Sequence, residues 1–337
     1  MIIFFGPKIN GKSKLTGGLR RFSEAYAETK KRSCYKVRIT SLVRDAFRYG
    51  FNRKTLFVVF DERYLFKLLP MMILRRNVIF FPRGNKIEHF RYKYGRLRLG
   101  FYKTIFSFLY RFCKVLVFQT IAQRDEFKEV YYYNGPYKTL PNHIKASWIR
   151  DYIKPLELTN LREPDKLVIG FLGGKNPRKG FHYLYNALSA YLKMGIISIN
   201  VAGAEEGAFE GLKNVVSCGF VQNISDFYNS CDLIMIPSEY DSFPNVLLES
   251  IAFNTPVMIS RSSITEEICG VNSHLLFNLK KEDIQKKTLS FLQSNKYREL
   301  VFYEMEGLFE KYDFNWGESL YEIVHDCRLG IKDRERN

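Results

Sequence analysis

The sequence predicts an α/β protein built from two doubly wound parallel sheets. Short apolar runs alternate with helical patterns along the chain, which is typical of βαβ units and a parallel sheet. This alternation stops at a polar segment and then begins again, which predicts a second domain of the same class. The length of 337 residues is sufficient for two domains that each bury a core.

In the first half, four short apolar runs predict buried strands. They lie at residues 2–5, 56–60, 78–81 and 114–118. Basic helical patterns lie between them, around residues 19–31, 63–75 and 98–112. The polar segment 154–166 contains Pro155 and Pro164, so we expect a linker there.

In the second half, the alternation restarts with an apolar run at 166–172 that ends in Gly173-Gly174. Further strands are predicted at 196–202, 215–219, 233–237 and 256–260. A helix is predicted from the spacing of Phe181, Leu184, Tyr185, Leu188 and Leu192, and two more at 246–253 and 282–294. Ligands of such sheets bind beyond the carboxyl ends of the strands, where the chain turns into helices.

The composition indicates a soluble globular protein, with 46% apolar and 26% charged residues. No apolar run is long enough to span a bilayer. The N-terminal residues lack a basic leader, so we interpret them as a first strand and not as a signal peptide. The six cysteines are scattered without a C-x-x-C pair, which predicts reduced thiols in a cytosolic protein and no zinc site.

The positive charge is concentrated in the first half. The whole chain carries a net charge of +17. Residues 1–160 hold 33 basic against 11 acidic side chains, whereas the rest holds 19 against 24. We therefore expect two domains with different partners, the first facing nucleic acid, a membrane surface or a phosphorylated substrate.

An octet near the N-terminus, Gly6 to Ser13, fits the phosphate-binding pattern G-x-x-x-x-G-K-[ST]. A strand that ends at Asp61 could supply a magnesium-binding acid, so a P-loop NTPase is one alternative. A true P-loop would place Gly17-Gly18 inside its helix, at a cost of roughly 1 kcal/mol for each glycine. We therefore predict that the loop extends to Gly18 and that the helix opens at the glycine pair.

The segment 230–260 carries the clearest chemistry. It predicts a buried strand, a loop, a short helix and another buried strand. Asp241 and Glu249 flank the loop and the first turn of that helix, where backbone amides favour an anion. A ligand with a central diphosphate and a sugar at each end would satisfy this set of groups.

The same segment resembles the signature of the family 4 glycosyltransferases, which have the GT-B fold. Asp232 begins it, Pro237-Ser238 follow, and Asp241 and Glu249 stand where the family has paired glutamates. The resemblance implies that Glu249 holds the nucleotide ribose and Asp241 the donor sugar. Aspartate at 241 departs from the family pattern and has a shorter reach.

Other segments share this resemblance. The loop that ends in Lys179-Gly180 is similar to the one whose lysine binds the donor diphosphate. The family often has an arginine where Gly173 stands, and Lys175 or Arg178 could supply that charge here.

Three further segments are similar to elements of the family. Val221 follows a strand-end glycine where the family contacts the base, and Gly17-Gly18 stand where a glycine pair borders the donor phosphate and sugar. Arg83 and Gly84 follow a central strand of the first half, on the acceptor side.

The resemblance implies two Rossmann-like doubly wound domains facing across a cleft. Residues 1–155 would bind the acceptor and 156–313 the nucleotide-sugar, with a C-terminal helix at about 314–328 packing back onto the first domain. The implied catalytic residues are Lys179, Asp241 and Glu249. The implied donor-binding residues are Gly17, Gly18, Lys175, Arg178, Lys179, Val221, Asp241, Ser242, Phe243, Asn245, Val246, Leu247 and Glu249.

The implied activity is a retaining, metal-independent glycosyl transfer. A hexosyl or N-acetylhexosaminyl group would move from a UDP- or GDP-linked donor to a glycan or lipid-linked oligosaccharide, in O-antigen, capsule or lipopolysaccharide biosynthesis. The nucleotide-sugar is a substrate, and no cofactor is expected. Two alternatives are an NTPase that uses the octet and a non-catalytic nucleic-acid-binding protein.

The stretch 89–114 interleaves basic and aromatic residues. It could bind nucleic acid, lie on an anionic membrane surface, or be an ordinary helix whose aromatic face is core. With the family resemblance, we favour the membrane surface and expect no nucleic-acid partner. The predicted location is cytoplasmic, peripheral on the inner face of the cell membrane.

Overall fold

Twelve strands form two parallel six-stranded sheets within the residues that the computed structural model describes, namely 1–7, 17–52, 54–91, 94–144, 166–205 and 207–332. The chain divides into two compact units. The first comprises Met1–Pro141 and Asn315–Asn337, and the second comprises Asn142–Phe314.

The sheet of the first unit has the order β2-β1-β3-β4-β5-β6, and every pair is parallel. Its strands are β1 (Ile2–Phe5), β2 (Val37–Thr40), β3 (Leu56–Val59), β4 (Val78–Phe80), β5 (Val115–Phe118) and β6 (Tyr137–Thr139). Its helices up to Pro141 are α1 (Gly17–Arg32), α2 (Val43–Gly50), α3 (Glu62–Arg75), α4 (Lys86–Phe90), α5 (Arg96–Tyr110) and α6 (Ile121–Tyr131).

The core of this unit is rich in aromatic rings. The strands β1, β3, β4 and β5 are buried along their whole length because helices cover both faces of the sheet. Phe5 packs edge-on against Phe57, and Phe80 stacks on Tyr110 of α5. Helix α3 begins where Asp61 caps it by accepting a hydrogen bond from the Arg63 amide.

The sheet of the second unit has the order β12-β11-β10-β7-β8-β9 and is also parallel throughout. Its strands are β7 (Leu167–Leu172), β8 (Ile197–Ala202), β9 (Val215–Ser217), β10 (Leu233–Ile236), β11 (Val257–Ser260) and β12 (Leu276–Phe277). Its helices are α7 (Phe181–Met194), α8 (Ile224–Asn229), α9 (Asn245–Ala252), α10 (Ser263–Cys269), α11 (Lys281–Gln293) and α12 (Asn295–Tyr312). The last helix, α13 (Trp316–Lys332), packs against α1 in the first unit.

The order of the second sheet places a topological switch point between β7 and β10. From β7 the chain continues to β8 and β9 on one side, and it returns to β10 on the other side. Ligands of open α/β sheets bind in the crevice at the carboxyl ends of the two strands where the order reverses. The loops after β7 and β10, at residues 173–180 and 237–244, start at those ends.

The predicted fold class is confirmed, and most predicted strands agree with the structure to within two residues. The predicted linker and domain boundary, at 154–166 and 155–156, lie outside the described residues except for Lys166. The predicted C-terminal helix at about 314–328 corresponds to α13. All six cysteines are unpaired.

Candidate functional site

An ion pair joins the two loops at the switch point of the second sheet. Lys179 ends a short 3₁₀ turn, Pro177–Lys179, in the loop after β7, and its Nζ donates to Oδ2 of Asp241 at 2.6 Å. Asp241 lies in the loop after β10, 62 residues further along the chain. Both side chains are about one-quarter exposed, at 25% and 20%, so a ligand can reach them.

Backbone contacts bring these loops together. The Glu239 amide donates to the Arg178 carbonyl at 2.9 Å. Gly180 has φ +76°, and an added Cβ would lie 1.8 Å from the Pro237 carbonyl oxygen. Only glycine permits this approach, so the residue after Lys179 determines how closely the loops pack.

Glycine at position 173 also follows from this packing. An added Cβ there would lie 2.6 Å from Cβ of Lys179 and 2.8 Å from the Phe171 ring. A larger residue at 173 is therefore incompatible with the observed position of Lys179.

Glu249 lies on α9 and is oriented by a buried tyrosine. The Tyr228 hydroxyl donates to Oε2 of Glu249 at 3.0 Å. Tyr228 is completely buried, and burial followed by the Glu249 charge raises the pKa of its phenol well above the usual value. The phenol therefore remains a neutral donor to the carboxylate. The sequence analysis did not identify Tyr228, because no motif marks a residue 21 positions before its partner.

At the start of α9, two of the predicted donor-binding residues have buried side chains. The Leu247 amide donates to the Pro244 carbonyl at 3.1 Å, and the Leu247 side chain is completely buried. The Phe243 side chain is buried and packs edge-on against Tyr312, while its amide faces Oδ1 of Asp241 at 3.4 Å. The side chains of Leu247 and Phe243 both belong to the core, so a donor contact there would come from backbone groups, and the donor-binding roles of these residues stay predictions.

Asn245 is the exposed first residue of α9. Its Oδ1 accepts from Nδ2 of Asn142 at 2.8 Å, a contact within the second unit. Because the Leu247 amide already donates to the Pro244 carbonyl, the amides of Asn245 and Val246 are the remaining candidates for binding a phosphate.

The remaining predicted donor residues surround the ion pair at greater distance. Lys175 is exposed, and Arg178 and Ser242 are half-buried in the same two loops. Val221 is half-buried in the loop after β9, two strands away from β7 in the sheet. The structure thus joins Lys179 to Asp241 directly, and it does not bring Val221 into contact with that pair through any described hydrogen bond.

The candidate acceptor residues lie in the first unit. Arg83 is half-buried in the loop after β4, and Gly84 follows it with φ +101°. Burial lowers the pKa of Arg83, while Asp61 and Glu62 oppose this effect. Gly17 and Gly18 are helical and belong to α1, and because residues 8–16 lie outside the described part of the chain, the predicted start of the helix at the glycine pair stays a prediction.

The octet that suggested a P-loop lies largely outside the described residues, from position 8 onward. The carboxylate that would serve it, Asp61, caps α3 and forms an ion pair with Arg63 at 2.8 Å. Across the described part of the chain, no group of three or more His, Cys, Asp or Glu side chains is arranged to hold a metal ion.

The part of the chain that holds this site is similar to a known protein family. Residues 166–294, which contain both switch-point loops and all of α9, match the family described as Glycosyl transferases group 1. The chain has the GT-B fold, and the matched residues make up most of its second unit. The match includes Lys179, Asp241 and Glu249.

One curated relative is similar over much of the chain. It is described as an uncharacterized glycosyltransferase of Methanocaldococcus jannaschii and is 26% identical over 222 residues. The match covers 62% of this chain and 55% of that protein, so the chain spans about half the length of this relative.

Several solved structures have the same fold. One was crystallised with UDP and glucose, and others are named as sugar-phosphate synthases. HepE of Anabaena, crystallised with UDP and glucose, has a TM-score of 0.70 at 14% identity, over 96% of this chain and 98% of that one. Sucrose-phosphate synthase of Thermosynechococcus elongatus has a TM-score of 0.63 at 14% identity, over 87% and 76%. A trehalose 6-phosphate synthase of Burkholderia multivorans has a TM-score of 0.61 at 15% identity, over 88% and 75%.

Proposed function

We propose that this protein is a retaining, metal-independent glycosyltransferase. It transfers a hexosyl or N-acetylhexosaminyl group from a UDP- or GDP-linked sugar to a glycan or lipid-linked oligosaccharide in the biosynthesis of a surface polysaccharide. The single observation that supports this best is the ion pair of Lys179 and Asp241 at the switch point of the second sheet, within residues that match the group 1 glycosyl transferases.

The proposed chemistry follows from where charge develops. As the glycosidic bond to the donor breaks, negative charge grows on the leaving diphosphate. Lys179, Lys175 and the first amides of α9 would stabilise that charge, and fixed donors of this kind usually supply the largest part of catalysis. The acceptor hydroxyl attacks the sugar from the same face from which the nucleoside diphosphate departs, and its proton passes to the departing phosphate. We assign no enzyme nucleophile.

Asp241 and Glu249 would bind hydroxyl groups of the donor. Each carboxylate oxygen accepts hydrogen bonds, and the hydrogen bond from Tyr228 to Oε2 fixes the orientation of the Glu249 carboxylate. When Lys179 moves to the diphosphate, Asp241 is released to accept a hydroxyl of the sugar. The ion pair thus keeps both groups in place before the donor arrives.

We also propose an anionic membrane as a partner of the first unit. Helices α2, α3 and α5 lie side by side, and their outer surface, termed here the α2–α3–α5 face, exposes large apolar side chains. The apolar members are Val43, Phe47, Phe66, Ile73, Leu74, Leu97, Phe101 and Phe108. Arginines and lysines alternate with them, which is the pattern of an interfacial surface. No helix in the described part of the chain is long and apolar enough to cross a membrane.

The stretch 89–114 therefore combines two of the alternatives from the sequence, namely a helix with an aromatic core face and a surface for an anionic membrane. Phe106 and Tyr110 on the inner side of α5 are core, whereas Leu97 and Phe101 on its outer side are 92% and 64% exposed. We propose that the protein is peripheral on the inner face of the cell membrane.

A thermal-shift plate containing UDP, GDP, ADP and their sugar conjugates tests the donor proposal, each with and without EDTA. A rise in melting temperature with one nucleoside diphosphate, retained in EDTA and absent in the Glu249→Ala variant, is expected. Magnesium-dependent ATP or GTP turnover without any response to nucleotide-sugars would instead identify an NTPase.

A further inference from the structure

The loop after β10 is fixed to its neighbours just before Asp241. The Ser260 hydroxyl, at the end of β11, donates to the Ser238 carbonyl at 2.5 Å. The next amide along the chain, that of Glu239, donates to the Arg178 carbonyl in the loop after β7 at 2.9 Å. The backbone of this loop is therefore held as far as Glu239, two residues before Asp241.

The side chain of Glu239 contacts helix α7. The hydroxyl of Tyr183, in the first turn of that helix, donates to Oε1 of Glu239 at 3.0 Å. Nε2 of His182 lies 3.9 Å from the same oxygen, which is beyond hydrogen-bond distance. The Glu239 side chain is only 26% exposed, and a hydrogen bond to a carboxylate is stronger than one between neutral groups. Tyr183 is therefore suited to hold Glu239 in one orientation.

Tyr183 and Lys179 are placed by the same turn. The Tyr183 amide donates to the Gly180 carbonyl at 3.0 Å, and an added Cβ on Gly180 would lie 3.2 Å from Cδ2 of Tyr183. Lys179 and Tyr183 thus lie on either side of one closely packed glycine. They contact Asp241 and Glu239, which are separated by one residue in the other loop. Two side-chain contacts therefore join the same short segments of the two loops.

We infer that Tyr183 is a positioning residue of the donor site. A single contact would leave the segment 239–241 free to turn, whereas two contacts with the same neighbour fix its direction. The hydrogen bond from Tyr183 thus keeps Asp241 facing Lys179 before the donor binds. It also keeps Asp241 in the site when Lys179 moves to the diphosphate. Neither Tyr183 nor Glu239 belongs to the donor-binding set predicted from the sequence.

The inference rests on the proposed glycosyltransferase function, in which Asp241 binds the donor sugar and Lys179 and Glu249 bind the nucleotide. A tyrosine that only supported the fold would affect every ligand of the site alike. A tyrosine that positions Asp241 should instead affect binding of the sugar and spare binding of the nucleotide.

Isothermal titration calorimetry of the full chain measures this selectivity. UDP and GDP are compared with UDP-glucose, UDP-N-acetylglucosamine and GDP-mannose, and the sugar conjugate that the wild type binds most tightly is used for the variants. Tyr183→Phe should weaken binding of that conjugate at least about fivefold and change binding of its nucleoside diphosphate by less than about twofold.

Further variants identify the hydrogen bond as the cause. Glu239→Gln keeps the acceptor oxygen and should bind like the wild type, whereas Glu239→Ala should reproduce Tyr183→Phe. Asp241→Ala should also weaken the conjugate selectively, and adding Tyr183→Phe to it should cause little further loss, because both changes remove one function. Tyr191→Phe, which removes a hydroxyl from another half-buried tyrosine of α7, is the control and should change neither affinity.

Circular dichroism checks that each variant is folded, and Glu239→Ala removes the same hydrogen bond should Tyr183→Phe fail to fold. Equal losses for the conjugate and its nucleoside diphosphate, unchanged binding in Tyr183→Phe, or weak binding in Glu239→Gln would overturn the inference.

The two proposals fail in different ways. A wild-type protein that binds none of these nucleotides or conjugates contradicts the glycosyltransferase function and removes the inference with it. Wild-type binding of a conjugate, together with an unselective or unchanged Tyr183→Phe variant, contradicts the role of Tyr183 alone.

Discussion

Lys179 exchanges partners during the proposed reaction. In the structure its ammonium binds Asp241 at 2.6 Å, and in the donor complex it would bind the diphosphate. The exchange costs little because both side chains are partly exposed and water can replace either partner. Lysine suits this step because its charge is compact and its stem is flexible.

Removing the charge of Lys179 or of Glu249 should slow the transfer more than it destabilises the fold. Lys179→Ala or Glu249→Ala is expected to lower kcat ten- to hundredfold, about 1.4–2.7 kcal/mol. The first variant no longer stabilises the charge on the leaving diphosphate, and the second no longer binds the donor hydroxyl groups. Steady-state kinetics with the donor found by thermal shift measure this. Lys193→Ala, on the exposed end of α7, is the control and should match the wild type. Wild-type rates in both site variants would contradict the assignment.

Tyr228 is expected to act through Glu249 alone. Tyr228→Phe removes a hydroxyl that donates at 3.0 Å and leaves the ring packed on Phe253. We expect a several-fold rise in KM for the donor with a smaller change in kcat, and about 1 kcal/mol lost from the free energy of unfolding. Tyr303→Phe, at a side chain that is 74% exposed on α12, should change neither value. An unchanged KM would show that Glu249 does not depend on this hydrogen bond.

At the scale of elements, the loops after β7 and β10 depend on one glycine for their contact. Gly180→Ala would place Cβ against the Pro237 carbonyl and force the loops apart. Gly195, at the end of α7, has a similar φ of +82° but nothing within 4 Å of an added Cβ. The two substitutions therefore carry the same backbone strain and differ in the steric clash.

Gly180→Ala should accordingly reduce both stability and transfer, whereas Gly195→Ala should reduce stability by only about 1 kcal/mol. Chemical denaturation and donor turnover of the two variants measure the difference. Equal turnover in the two variants would show that loop contact at Gly180 does not position Lys179.

The buried strands could be predicted from the sequence, and the edge strands could not. β1, β3, β4 and β5 are continuous apolar runs because both faces of the sheet are covered. β6 is exposed at all three residues, and β12 has only two residues, so neither strand appears in the sequence as an apolar run. The same limit hides β2, whose four residues are all half-buried.

The site shows a similar division. The loop and helix that carry Asp241 and Glu249 could be predicted from local patterns, because strand, turn and helix signals follow one another there. The contact of Lys179 with Asp241 depends on the neighbouring positions of β7 and β10 in the sheet, which spacing along the chain does not indicate. The burial of the Phe243 and Leu247 side chains depends on tertiary contacts such as that of Phe243 with Tyr312, which local patterns do not indicate.

At the scale of the whole molecule, the net charge differs between the two units. The basic half of the sequence corresponds to the first unit, and its outer helices carry many of the arginines and lysines. The second unit, which holds the proposed donor residues, is mildly acidic. Acceptor binding and membrane attachment would therefore depend on salt, whereas donor binding would depend on it less.

Membrane attachment should require the apolar side chains of the α2–α3–α5 face as well as its charge. Leu97→Ser together with Phe101→Ser removes two exposed side chains without disturbing the core, so the fold should persist. Each buried apolar side chain contributes about 1.5–3 kcal/mol, so binding should fall at least tenfold. Sedimentation with phosphatidylserine-containing and neutral liposomes, at low and moderate salt, measures this. Met194→Ser, 70% exposed in the second unit, is the control and should bind like the wild type. Equal binding of the double variant and the wild type, or no wild-type sedimentation with anionic liposomes, would contradict the membrane proposal.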